Sequence, residues 1–107
     1  MPPTSLSYSA TVILQAIANG YQYGFEVMDV TGLPSGTVYP ALRRMEDAGY
    51  LRASWEKVAV AQREQRPPRR YYEVTRLGAQ ALADALKRYR QLGEMSGNAT
   101  KPAPAKA

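Results

Sequence analysis

Apolar and polar positions recur along this chain with two different periods, and the changes of period mark its elements. Residues 8–19, within SLSYSATVILQAIANG, form a helix between Ser7 as N-cap and Gly20 just past the end. At about 100° per residue only Thr11 and Gln15 fall on a narrow polar stripe. Tyr8, Val12, Ile13, Leu14, Ala16, Ile17 and Ala18 take almost everything else. A helix apolar nearly all round needs cover on more than one side, and for a domain this small a second subunit is the simplest cover. YGFEVMDVTG predicts a shorter helix over 24–31, ended by Gly32. Ser35 then reads as the N-cap of a third helix that runs to Ala48, with Gly49 behind it. Two helices joined by a short Gly-containing turn make the helix-turn-helix pattern.

The period then drops to two. YLRASWE places Leu51, Ala53 and Trp55 on one face of a strand and Arg52, Ser54 and Glu56 on the other, which assigns Trp55 as a packing anchor. RRYYEVT sets Tyr72 and Val74 against Tyr71 and Glu73 in the same way. The segment between them, KVAVAQREQRPP, exceeds the usual hairpin loop of about 2 to 5 residues. Residues 57–60 are expected to prolong the first strand and leave a basic tip ending in Pro67-Pro68. Thr75 caps a last helix whose stripe of Leu77, Ala81, Leu82, Ala85, Leu86, Tyr89 and Leu92 is longer than one small domain needs. From Ser96 the composition is small, polar and rich in Pro and Ala, predicting a disordered tail. The expected fold is mainly α with a small antiparallel β-hairpin. It comprises a winged helix-turn-helix domain over 1–75, a C-terminal dimerisation helix over 76–95 and a tail over 96–107.

Composition removes whole classes of function. The chain has no Cys and no His, hence no thiolate nucleophile, no disulfide and no common transition-metal ligand set. Its nine acids are scattered among basic neighbours and form no acid/base pair or calcium loop, so neither an enzyme nor a metal or other cofactor is expected. No apolar run approaches the roughly 18 to 20 residues of a membrane span, and the start MPPTSLSYSA lacks a leader pattern. A cytoplasmic protein without a membrane partner is the expectation. The net charge of +5 and a pI near 9.7 favour a polyanionic partner.

The third helix shows how such a partner is met. Val38, Ala41, Leu42, Met45 and Ala48 fall within about 120° of arc and face the core. Gly36, Thr37, Tyr39, Pro40, Arg43, Arg44 and Asp47 face out, so Pro40 removes no core contact and its lost amide bond falls near the first turn. Arg43 or Arg44 can reach guanine O6 and N7 with two parallel donors. Ser35, Thr37, Tyr39 and Tyr23 offer hydroxyls to phosphates or base edges, and Pro40 fits against a thymine methyl. Arg63, Arg66, Arg69 and Arg70 on the wing can meet phosphates or enter the minor groove. A plain solvated face, with Glu46 and Asp47 as local partners of the arginines, is the competing reading. At the level of the whole chain, the runner-up to a DNA-binding regulator is a winged helix that meets an acidic protein. The dimer interface is expected at Tyr8, Val12, Ile13, Leu82, Leu86 and Tyr89.

The run GTVYPALRRMEDAGYL, with YGFEVM before it and PPRRYYEVTRLGAQAL after it, resembles the PadR-type bacterial transcriptional regulators across about residues 8 to 92. The resemblance implies a homodimeric winged-helix repressor of double-stranded DNA whose C-terminal helix joins the N-terminal helix in dimerisation. It also implies a small aromatic effector as a further partner. Two departures are visible: the wing segment 57–66 is longer than is common in the family, and the last helix carries Tyr89 but no Trp with which to sandwich a flat drug.

Overall fold

The computed structural model describes residues 6–100, with side chains through residue 93. The order is α1 (Tyr8–Ala18), α2 (Gly24–Thr31), α3 (Ser35–Asp47), β1 (Leu51–Trp55), α4 (Val58–Arg63), β2 (Arg70–Val74) and α5 (Arg76–Thr100). Local chemistry ends each of the first three helices where expected. Ser7 Oγ accepts from the Ala10 amide at 3.0 Å at the head of α1. Past α1 and α3 the chain turns at Gly20 and Gly49, both at positive φ. The following amides of Tyr21 and Tyr50 donate back to Ala16 and Met45. At α2, Glu26 reaches back to accept from the Gln22 amide at 3.0 Å. Ser35 is not an N-cap: Pro34 holds that position without a side-chain bond, and Ser35 is already helical.

The core lies where α1, α2 and α3 meet the small sheet. Val38, Ala41, Leu42 and Met45 of α3 are between 0% and 3% exposed and pack with Ile13, Leu14 and Ile17 of α1. Thr11 departs from the expected polar stripe. It is buried, and its hydroxyl donates to the Ser7 carbonyl at 2.8 Å, so the helix itself satisfies the group and burial costs little. β1 and β2 pair antiparallel from Leu51↔Val74 to Trp55↔Arg70. A single bridge, Tyr23↔Tyr71, and the Tyr72 amide donating to Gln22 at 2.8 Å tie the lead-in to α2 onto the free edge of β2.

The wing differs most from the sequence reading. Residues 58–63 are helical, whereas 57–60 were expected to prolong β1. Ala61 is the buried side of that short helix, and Gln65, in the left-handed region at φ 57°, closes it so that the Arg66 amide bonds the Ala61 carbonyl. Trp55 is not a core anchor. Lying at the outer end of β1 opposite Arg70, it is 64% exposed. At the other end, α5 continues through Thr100, so the expected tail does not begin at Ser96; residues 101–107 lie outside the described residues.

α5 is seated by a close backbone approach. The Thr75 hydroxyl donates to the Gly49 carbonyl at 2.6 Å and accepts from the Gly78 amide at 3.0 Å. A Cβ at residue 78 would press into the Tyr50 carbonyl and lie 3.0 Å from Val74 Cγ1. Gly78→Ala is therefore expected to lower unfolding free energy by about 1–3 kcal/mol through overpacking. Urea denaturation checks this, and a variant as stable as the parent would mean that α5 sits looser than described.

Candidate nucleic-acid interface

Burial of one face of α3 leaves the other outward, and the expected site residues divide accordingly. Ser35, Tyr39, Pro40, Arg43 and Arg44 are exposed, and Thr37 is half-buried. The helix is continuous through Pro40, whose missing amide leaves the carbonyl of exposed Gly36 without its usual helical donor. Tyr39 lies over the start of α2, where a Cβ at residue 24 would come within 2.7 Å of its Oη. Gly24 thus sets the approach of α2 to the outward face of α3, a role without any local signal in the sequence.

The four wing arginines are not equivalent. Arg66 forms a two-pronged pair with Glu56, Nη1 to Oε1 at 2.6 Å and Nη2 to Oε2 at 2.9 Å. Arg70 donates to Glu46 of α3 at 3.0 Å and lies over the Trp55 ring at 5.1 Å from its centroid. Arg69 sits over the Tyr23 ring at 4.1 Å, and Tyr23 meets Tyr71 edge to face at 5.7 Å. Arg63 on α4 is exposed and enters none of the described ion pairs. Arg66 and Arg70, read from sequence as phosphate contacts, are thus first of all structural ties: one closes the wing on itself, the other fastens it to α3. Glu46 and Glu56, absent from the sequence-based site, make both ties.

The expected dimer residues divide as well. Tyr8 is exposed, Val12 half-buried and Leu86 exposed along the seam where α1 and α5 pack. Tyr8 meets the Tyr89 ring edge to face at 5.5 Å, and the Tyr89 hydroxyl donates to the Leu6 carbonyl at 2.9 Å. Ile13 and Leu82 differ from them: in the core of their own chain Ile13 is wholly buried and Leu82 is 7% exposed. Among the described residues no group of His, Cys, Asp and Glu is placed to hold a metal ion, and no helix is long and apolar enough to cross a membrane.

Glu56 is the hub of the wing. Besides Arg66, its carboxylate accepts from the Arg69 amide and from the Tyr71 hydroxyl, each at 3.2 Å, and its side chain is only 7% exposed. The Arg66 guanidinium first, then the Arg69 amide and the Tyr71 hydroxyl, hold its pKa down at about 2 against an ordinary 4.5, with desolvation opposing them. A lowered carboxylate pKa stabilises the fold above the unfolded value, and that contribution disappears as pH falls through the folded one. The stability gap between the parent and Glu56→Gln is therefore expected to be full above pH 4.5 and to close toward pH 2. Denaturant unfolding across that range checks it; a gap that does not vary with pH would show that the carboxylate carries no such role.

Comparison with known proteins agrees with this arrangement. Residues 13–84 match the model of the transcriptional regulator PadR-like family. Similar solved structures include a PadR family transcription regulator from hypervirulent Clostridium difficile R20291, at 23% identity over 86% of this chain and 97% of that one, with TM-score 0.73. Another is smu.1704 from Streptococcus mutans UA159, at 20% identity over 99% of each chain and TM-score 0.70. A third is a PadR family transcriptional regulator from Eggerthella lenta DSM 2243, at 21% identity over 87% of this chain and 84% of that one, with TM-score 0.67. At such identities the likeness establishes the winged-helix fold. No match emerges among curated proteins. With the family match spanning both the helix-turn-helix and the wing, the chain belongs to the transcriptional regulator PadR-like family.

Proposed function

We propose that this protein is a sequence-specific DNA-binding transcriptional regulator of the cytoplasm, a homodimeric repressor that reads a palindromic operator. The outward face of α3 enters the major groove, as the second helix of a helix-turn-helix does. The observation that carries this reading is the pair Arg43 and Arg44. Both are exposed and absent from the described ion pairs, opposite a helix face wholly committed to the core. Glu46, which would repel a phosphate at that end of α3, is already neutralised by Arg70.

The wing meets the backbone from outside. A helix with its side chains is about 10–12 Å across, and the minor groove is only about 6 Å wide. α4 itself therefore stays outside the groove, and phosphate is the contact assigned to Arg63 at its last turn. Its contribution is affinity rather than sequence discrimination. A second copy of the chain covers the seam where Tyr8, Val12, Leu86 and Tyr89 line α1 and α5. That places two copies of α3 about a two-fold axis.

Four outcomes test this. Arg43→Ala and Arg44→Ala are each expected to cost about 1–3 kcal/mol and to relax preference at one base position. Arg63→Ala should weaken all duplexes alike and lower the salt slope by about 1. Fluorescence anisotropy over a salt series separates the two classes, and uniform losses for all three variants would contradict the division. If each dimer neutralises about 6 to 10 phosphates, affinity falls by roughly 10³ to 10⁵ between about 50 and 200 mM salt; a module built for an acidic protein would show no preference among duplexes. Leu86→Asp is expected to yield a lone chain by light scattering, and an unchanged dimer mass would place the interface elsewhere.

A further inference from the structure

A cleft of about 700 Å³ lies between the start of α2 and the wing. The rings of Tyr23, Phe25, Tyr39 and Trp55 line it, and the segment from Arg66 to Arg70 closes its far side. Three of these residues are exposed: Phe25 71%, Trp55 64% and Tyr39 45%. Exposed aromatic faces gathered in one place forgo burial that would stabilise the fold, which marks the patch as a surface for binding. The rings also come with cations. Arg69 lies over Tyr23 and Arg70 over Trp55, so guanidinium and ring already alternate along the wall. The two acids nearest these arginines, Glu46 and Glu56, are neutralised by Arg70 and Arg66 and leave the lining open to an anion.

An intact duplex makes poor use of such a wall. It presents phosphates and base edges, while each base face is covered by its neighbours in the stack. Apolar ring faces gain most from a flat partner that is free to lie on them. An unpaired nucleotide supplies both halves of the match, a π-face for the rings and a phosphate for the guanidinium groups.

We propose that this cleft binds unpaired nucleotides, with bases stacked on Trp55 and Phe25 and phosphate held by Arg69. It is a mode of nucleic-acid binding separate from duplex reading by Arg43 and Arg44. Because Tyr39 of α3 borders the cleft, single strands and duplex compete for the same face.

Trp55 is the sole tryptophan of the chain, so its emission reports occupancy of the cleft. The full chain at about 50 mM salt, where phosphate contacts are strong, is titrated with a short oligothymidylate, with thymidine monophosphate and with inorganic polyphosphate. The oligothymidylate is expected to quench Trp55 saturably, and polyphosphate, which has charge but no ring, is expected not to. Equal potency of the monophosphate would support the cleft and identify free nucleotides as the source of the ligand. Phe25→Ala, at an exposed position outside the α3 reading face, is expected to weaken oligothymidylate binding about tenfold while duplex affinity holds within about twofold. The absence of quenching by either nucleotide, equal quenching by polyphosphate, or unaltered binding in Phe25→Ala would overturn the proposal. Duplex binding is followed separately by anisotropy, so its loss would count against the regulator reading and not against the cleft.

Discussion

Burial of Val38, Ala41, Leu42 and Met45 against α1 is the constraint on which everything else depends. A helix rotated by one residue turns by about 100°, which would bring Tyr39 or Arg43 toward the core and carry Leu42 into water. The core thus fixes the direction in which Arg43 and Arg44 point without touching them. The same constraint accommodates Pro40, which falls on the exposed face where no core packing is lost. A helix-breaker and twin cations are tolerable on α3 because its other face has been given wholly to the interior.

The wing is held by charge where α3 is held by apolar packing. Glu56 gathers a guanidinium, an amide and a phenol hydroxyl, and Glu46 draws Arg70 across from β2 to α3. Two of the four wing arginines are committed to architecture in this way. Those two ties fasten the wing to the sheet and the sheet to α3, so that wing and helix are held together. Charge that would have been diffuse on a mobile loop becomes a fixed position for Arg63 on α4.

Most of the helical frame was legible because its signals are local. Ser7, Gly32 and Gly49 act on residues within a turn of themselves, and the core stripe of α3 is visible on a helical wheel. The errors fell where the deciding partner is distant in sequence. Val58 and Val60 alternate like a strand, but the segment folds as a helix closed at Gln65 and pinned by Arg66 to Glu56, ten positions away. Trp55 continues the alternation of β1 and should point inward, yet at the end of the strand the core has run out and Arg70 is its neighbour. Arginines count alike in a sequence, and only coordinates distinguish Arg70, paired with Glu46 from 24 positions away, from exposed Arg63. Thr11 misled for the opposite reason, since its polar group is satisfied within its own helix and can be buried. Ile13 reads as a partner contact because a helical wheel shows that a face is apolar but not which neighbour covers it.

Selection of bound duplexes from a random pool bears most directly on the claim that a core-fixed α3 reads DNA as one of a two-fold pair. The enriched sequences should be palindromic, with half-site centres about one helical turn, roughly 34–36 Å, or a multiple of it apart. Recovery of a pool no different from the input, or of single unpaired half-sites, would contradict it.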